Sequence, residues 1–411
     1  MPTELPSNPQ DLLRYAQTPA GKRDPHLVYD RIRALTPIWR DQDSGMWYVF
    51  RWADCYNLLR SKSFGAPYLL QMEPRFERSA ALRFLADALS NIDPPLHTKI
   101  RGQVQGSFTG PVLKKSDDYI AAVVDQTVAE LRGRERFDVV ADYAAKIPNT
   151  VICELLGVPR ADHVRFGKWL SVQFKLLAPT PPSEALLDEV DGATQALTDY
   201  IEGLIEERRR EPRTDIISEL VKAQETAPEP LTVRQMTVTT AILLAGGSDT
   251  TKTAIALGMR QLVEHPDQLE RLLADPTLAG SAFEEIVRTT GAVLVANSRK
   301  ALEAVEIAGQ RIAPGEFVVP VLVTANHDPE KFADPHRFDI GRTPNQHLAF
   351  AAGVHVCIGN MMARKVGSRA ILSLLQAFPN MKLLDDGRDV NVSLPAMRGM
   401  NSLHVTSGRT Q

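Results

Sequence analysis

The sequence predicts a mainly α fold with small β-sheets. Apolar residues recur every three or four positions over Ala121–Leu131 and Ala193–Arg210, with charged residues on the opposite face. A far longer helical pattern runs from Thr232 to His265. The β signals are few and short, near Met46–Phe50, Glu306–Val323 and Ser402–Val405. No linker, repeat or low-complexity tract divides the 411 residues. A single domain over 1–411 is therefore expected, with about 1–23 as an N-terminal extension.

Composition narrows the function. Hydrophobic residues make up 44 %, enough for a large interior. The net charge of −3 argues against nucleic acid as the main partner. Cys55, Cys153 and Cys357 are odd in number and far apart, which fits a reducing compartment rather than a disulfide framework. Cys55 and Cys153 lie in apolar helical stretches and read as core. Met1–Leu13 has no apolar run, and the apolar stretch Met236–Met259 is interrupted by Ser248, Asp249 and Lys252. Neither a signal peptide nor a membrane span is expected, so the reading is cytoplasmic with no membrane partner.

The central helix should start at Thr232, whose hydroxyl caps while Gln235 reaches back. It should end before Pro266. Such a helix is about 50 Å long at 1.5 Å per residue. Its middle reads Ala245-Gly246-Gly247-Ser248-Asp249-Thr250-Thr251. Each interior glycine costs about 1 kcal/mol relative to alanine. Close approach of a flat ligand or a local opening would offset that, and so would tight helix packing.

The next β elements form a hairpin around Ala308-Gly309-Gln310-Arg311. Before them, Glu285 and Arg288 stand three apart among apolar neighbours. A buried pair of this kind needs further hydrogen bonds and should pin a loop. Asn326 to Phe338 is rich in Asp-Pro turns and reads as an ordered meander. The loop Phe350-Ala351-Ala352-Gly353-Val354-His355-Val356-Cys357-Ile358-Gly359 opens directly into a helix. Helix amides behind Cys357 favour a thiolate, which can serve as the axial ligand of a heme iron. An inert buried cysteine is the other reading of that loop alone. The following helix carries Ile358, Met362, Val366, Ala370 and Leu374 as a core stripe, with Arg364, Lys365 and Arg369 off it. His97 and Arg101 share one helix face, and with Arg299 and His355 they suit a ligand bearing two carboxylates.

These motifs, in this order from about Asp24 to Val405, resemble the soluble bacterial type of the cytochrome P-450 family. The resemblance implies a long central helix over heme b (iron protoporphyrin IX). It implies Cys357 as the iron ligand, with Phe350 packed near the sulfur and Gly359 completing the loop. It implies propionate contacts from His97, Arg101, Arg299 and His355. Asp249 and Thr250 become the acid–alcohol pair on the oxygen side, the hydroxyl holding a water and the carboxyl relaying protons. The implied activity is insertion of one atom of O2, most simply as hydroxylation, into a mid-sized, largely apolar molecule. Electrons would come from a separate ferredoxin or flavodoxin docking near Lys365, Arg369 and Lys99. The family's pocket positions map to Leu244, Ala245, Val293, Leu294, Val295, Asn297, Leu394 and Met397. A peroxide-using or isomerase-like enzyme of the same fold and a non-catalytic heme ligand sensor are the alternatives.

Several residues depart from the family pattern. Ala351 replaces a common glycine, Ala292 a proline and His327 an arginine. Asn360-Met361 replaces a small residue and a leucine, and Lys252 follows the acid–alcohol pair by two positions.

Overall fold

The two helical periodicities are the cores of longer helices. Pro111–Leu131 and Glu184–Arg210 extend each expected span toward the N-terminus. The second is started by Ser183, whose side chain accepts the Leu186 N–H. Helices make up 59 % of the chain in this computed structural model, as the fold class requires. Residues 5–67, 72–107, 111–177, 182–384, 389–391 and 396–408 are described. Contacts divide the chain into two compact units, one of 1–67, 124–145 and 250–411, the other of 68–123 and 146–249.

The first unit holds every described strand. Ile38–Arg40, Trp47–Val49, Phe317–Pro320, Arg299–Ala301 and Phe64–Gly65 lie side by side in that order. Trp47–Val49 pairs parallel with Phe317–Pro320, and the other neighbours are antiparallel. The expected hairpin forms from Val305–Ile307 and Gln310–Ile312. Its two turn residues, Ala308 and Gly309, both take positive φ, 48° and 76°. That is the twist a two-residue hairpin demands. His404–Thr406 pairs with Arg136–Asp138 and Lys382–Leu383. The β signal at Glu306–Val323 is too long at its end, because Leu322–Ala325 turns helical. These residues are buried on all sides, and an apolar run alone does not separate helix from strand.

Pro9–Ala16 and Pro19–Arg23 are helices, and Leu12, Leu13 and Ala16 are buried against Tyr29, Phe50, Val321 and Val323. A second core joins the sheet to the cysteine loop, packing Cys55, Leu58, Leu59, Ala301 and Val318 with Leu348 and Ala352. Both expected core cysteines are fully buried. Burial pushes the Cys153 thiol up to about 12, which keeps it protonated and inert.

In the other unit, Glu184–Arg210 packs on Ala80–Ala86, His163–Gln173 and Ile216–Thr226. Asp191 accepts from the Ser79 hydroxyl and the Ala81 N–H, tying two of these helices together. Arg208, fully buried, is neutralised by Asp215 at 2.6 Å and donates to the Gly157 carbonyl at 2.7 Å. A buried charge needs a partner of this kind.

The long helix is Val233–Glu264, 32 residues. Its start is the expected reciprocal box. The Gln235 N–H donates to Thr232 Oγ1 at 3.1 Å, and the Thr232 N–H to Gln235 Oε1 at 3.0 Å. The two glycines have different reasons to be there. A Cβ at Gly247 would press on Ile152 at 3.1 Å, whereas one at Gly246 would meet nothing within 4 Å among the described residues. Gly246 is exposed halfway along a helix whose Leu243 and Leu244 are buried. Among the described residues, the long helix is thus exposed at Gly246.

Candidate active site around Cys357

Backbone chemistry shapes the cysteine loop. The Cys357 N–H donates to the Phe350 carbonyl at 2.9 Å and closes it. Two residues inside take the left-handed conformation, Ala351 at φ 57° and Gly353 at φ 71°. Gly353 lies so close to the helix Trp52–Arg60 that a Cβ would fall 2.2 Å from the Leu59 carbonyl oxygen. Only glycine fits there. The helix Asn360–Ala377 begins three residues after Cys357, with Gly359 as its cap. The Cys357 thiol is exposed, unlike the other two cysteines.

Glu285 and Arg288 are fully buried on the helix Ala279–Thr290. They form a two-bond pair at 2.7 and 2.8 Å. Arg288 then donates to the carbonyls of Asn326 and Pro335, both at 2.8 Å. Glu285 accepts from Arg342 at 3.0 Å, the Asp339 N–H at 3.1 Å and Asn345 at 3.1 Å. The pair therefore pins the meander, as its apolar flanks suggested. Asn326 passes the constraint on by accepting the Leu348 N–H at 2.7 Å, just before the cysteine loop.

Four residues outside the predicted site hold the loop from below. Arg364 lies over the Phe350 ring at 4.4 Å and donates to both oxygens of Glu284. His347 also bonds Glu284, at 2.8 Å. Arg364 donates to Asn360 Oδ1 at 2.6 Å, and the Asn360 amide donates to the Cys357 carbonyl. Burial alone would raise the Glu284 carboxyl. The bonds from His347 and Arg364 overcome that and bring it down to about 2. The one sequence signal for this group was the unusual Asn360.

The remaining predicted residues divide between the units. Phe350, His355, Cys357, Gly359, Arg299 and Thr250 belong to the first. Arg299 is a buried strand residue opposite Val318. His355 ends the short turn Gly353–His355. His97, Arg101, Asp249, Leu244 and Ala245 belong to the second, with His97 buried on the helix Leu96–Ser107.

Among pocket residues, Val293 faces Met397 in an isolated antiparallel bridge, and both are half-buried. The segment after Glu-x-x-Arg, left open by Ala292, is extended. Leu294 N–H donates to the Ala396 carbonyl at 2.9 Å and Ala296 N–H to the Pro320 carbonyl at 3.0 Å. Leu294 is fully buried in the core with Tyr29, Phe50 and Val323, and Leu244 is fully buried too, so neither borders open space. Val295 packs against the same core, and Asn297 is exposed. Leu394 lies outside the described residues. Arg369 and Lys99, expected at a docking face, are engaged within the chain by Asp125 at 3.1 Å and Glu229 at 3.7 Å.

Comparison with known proteins agrees with this construction. Residues 72–394 match the family model of cytochrome P-450. The chain is 34 % identical over 390 residues to the cytochrome P-450 monooxygenase PikC of Streptomyces venezuelae, covering 93 % of this chain and 91 % of that protein. It superposes with TM-score 0.87 on P450BioI, crystallised with acyl carrier protein ligated by hexadec-9Z-enoic acid, at 30 % identity over 94 % of this chain and 98 % of the other. It superposes equally well, TM-score 0.87, on the myxobacterial enzyme CYP267B1 in complex with myristic acid, at 33 % identity over 96 % of this chain and 99 % of that one. The chain is a monooxygenase of the cytochrome P-450 family, an oxidoreductase whose family implies a heme-iron cofactor, O2, a substrate and a redox partner. No helix among the described residues is long and apolar enough to cross a membrane.

Proposed function

We propose that this enzyme inserts one oxygen atom from O2 into a mid-sized, largely apolar small molecule, by hydroxylation. The observation that carries the proposal is the exposed thiol of Cys357, held in a backbone-closed glycine loop at a helix start. An exposed sulfur backed by helix amides is stabilised as thiolate. A thiolate donor of this kind suits heme b. Bound with a thiolate ligand, heme supplies the activation of O2 and the oxygen transfer.

The protein's residues do the rest. Cys357 ligates iron, with Phe350 and Gly359 shaping the loop around it. His97, Arg101, Arg299 and His355 take the propionates. The Thr250 hydroxyl holds a water, and Asp249 hands protons to it from solvent. Ala245, Val293, Val295, Asn297 and Met397 are the candidate substrate contacts. The lipid chains named for P450BioI and CYP267B1 support an apolar substrate, and a fatty acyl chain is the first class to screen. A ferredoxin or flavodoxin supplies electrons, and the enzyme works in the cytoplasm.

The test is the carbon monoxide difference spectrum of the reduced protein, in wild type and in Cys357→Ala. A strongly red-shifted Soret band present in the first and absent from the second is expected. A band typical of histidine-ligated heme in wild type would remove Cys357 as the ligand.

A further inference from the structure

Two adjacent glutamates on one helix do different jobs. Glu285 turns toward the meander. Glu284 turns toward the cysteine loop and reaches both of its flanks. On the Cys357 side the path is Glu284 to Arg364, Arg364 to Asn360, and Asn360 to the Cys357 carbonyl. On the Phe350 side, His347 Nε2 bonds Glu284, and His347 Nδ1 accepts the Ala349 N–H at 3.2 Å. That acceptance places the imidazole proton on Nε2, so the ring donates to the carboxylate. Arg364 covers the Phe350 ring, whose own carbonyl receives the Cys357 N–H.

We propose that Glu284 is a positioning residue for the Cys357 thiolate, acting through Arg364 and Asn360 on one flank of the loop and through His347 on the other. The inference rests on the reading of Cys357 as the iron ligand. The carbonyl that Asn360 holds belongs to the peptide unit joining Cys357 to Ile358. A peptide unit is planar, so fixing its carbonyl also fixes the Ile358 N–H. The direction of amides beside a thiolate sets the field at sulfur and tunes a heme-thiolate centre. Asn360 departs from the small residue usual in the family. It gives this chain a side-chain link from the ligand's own peptide to the partly buried Glu284 carboxylate. The His347 side chain is only 3 % exposed, so water is kept from one end of the relay.

A merely structural role would alter unfolding and nothing else. The experiment therefore compares wild type, Glu284→Gln, Asn360→Ala and the double variant as heme-loaded proteins. Three quantities are read for each: the equilibrium constant for reduction against a redox dye, the share of the carbon monoxide complex that keeps the thiolate band, and the thermal midpoint. Each single variant should shift the reduction constant by about threefold or more in one direction. The non-thiolate share should rise at least about twofold. The double variant should match the larger single effect, because both residues act along one chain of contacts. Glu284→Asp should recover part of the loss.

Reduction constants and carbon monoxide spectra equal to wild type in both single variants would overturn the proposal, whatever the thermal midpoint does. Additive effects would also overturn it. Should Glu284→Gln fail to fold, Asn360→Ala at the half-buried helix start decides alone. A wild type without the thiolate band would instead overturn the assignment of Cys357, and the proposal with it.

Discussion

Ala351 adopts φ 57° inside the cysteine loop, a conformation that suits glycine. The left-handed region costs an L-residue about 1–2 kcal/mol. Ala351→Gly removes that cost but loosens the unfolded chain by about 0.4–1 kcal/mol. A net gain of about 0.5–1 kcal/mol is expected, seen as a higher thermal midpoint with the carbon monoxide spectrum unchanged. A lower midpoint would mean that the loop carries no strain there. The residue type at 351 was a visible departure in the sequence, and its positive φ was the condition on which any cost depended. Arg364 was noticed only as a residue off the core stripe. What it touches comes from the helix of Glu284 and from the loop before it, and a single sequence says nothing of either.

At the scale of elements, periodicity and capping served well where the determinants are local. The long helix has its expected cap at Thr232 and stops before Pro266, because a capping box and a proline act within a few residues. The Ala308–Gly309 turn was equally local. Local signals failed at Leu322–Ala325, where burial removes the alternation that marks a strand. The Glu285–Arg288 pair lies between these cases. Its spacing was plain, but its partners are spread over Asn326, Pro335, Asp339, Arg342 and Asn345. Arg288→Ala would strand the Glu285 carboxylate in a fully buried place. Removing one partner of a buried pair costs about 3–5 kcal/mol. Chemical denaturation should report a loss of that order, and a change under about 1 kcal/mol would show that Arg342 alone can satisfy Glu285.

Taken whole, the chain passes between its two compact units at 67/68, 123/124, 145/146 and 249/250. No compositional break marks those crossings, so the sequence offered no sign of the division. The sheet of the first unit joins residues near 48 to residues near 319, so it cannot close until most of the chain is made. The same long-range assembly gathers three histidines of that unit. His26, His327 and His336 have ring centroids 5.0 to 5.9 Å apart. Burial, with Arg398 nearby, lowers His26 to about 4. Burial and the neighbouring His26 hold His327 well below its usual value. Arg33, Arg288, Arg398, Asp24 and Asp30 are charged groups around them.

A histidine kept neutral in the fold loses stability as pH falls below its unfolded value of about 6.5, because only the unfolded chain takes the proton. For His26 that loss is about 3 kcal/mol by pH 4. Asp30 has the opposite sign. Burial raises its carboxyl to about 6, so acid stabilises it over pH 6 to 4 and offsets His26. His327 and the partly buried His336, whose value burial also lowers, remain uncompensated. The thermal midpoint should therefore fall between pH 6.5 and 4, and His327→Gln should flatten that fall. Identical pH profiles for the two proteins would rule the histidine out as the cause.

The close seat of Gly353 on the Leu59 carbonyl carries a consequence for how this enzyme can be recombined with its relatives. The glycine packs on main chain, whose atoms are the same whatever residue stands at 59. A chimera that takes its first 67 residues from a relative about one-third identical would still offer that carbonyl, provided the helix keeps its length. The cysteine loop is thus built to tolerate sequence drift in its supporting helix while forbidding insertion or deletion there.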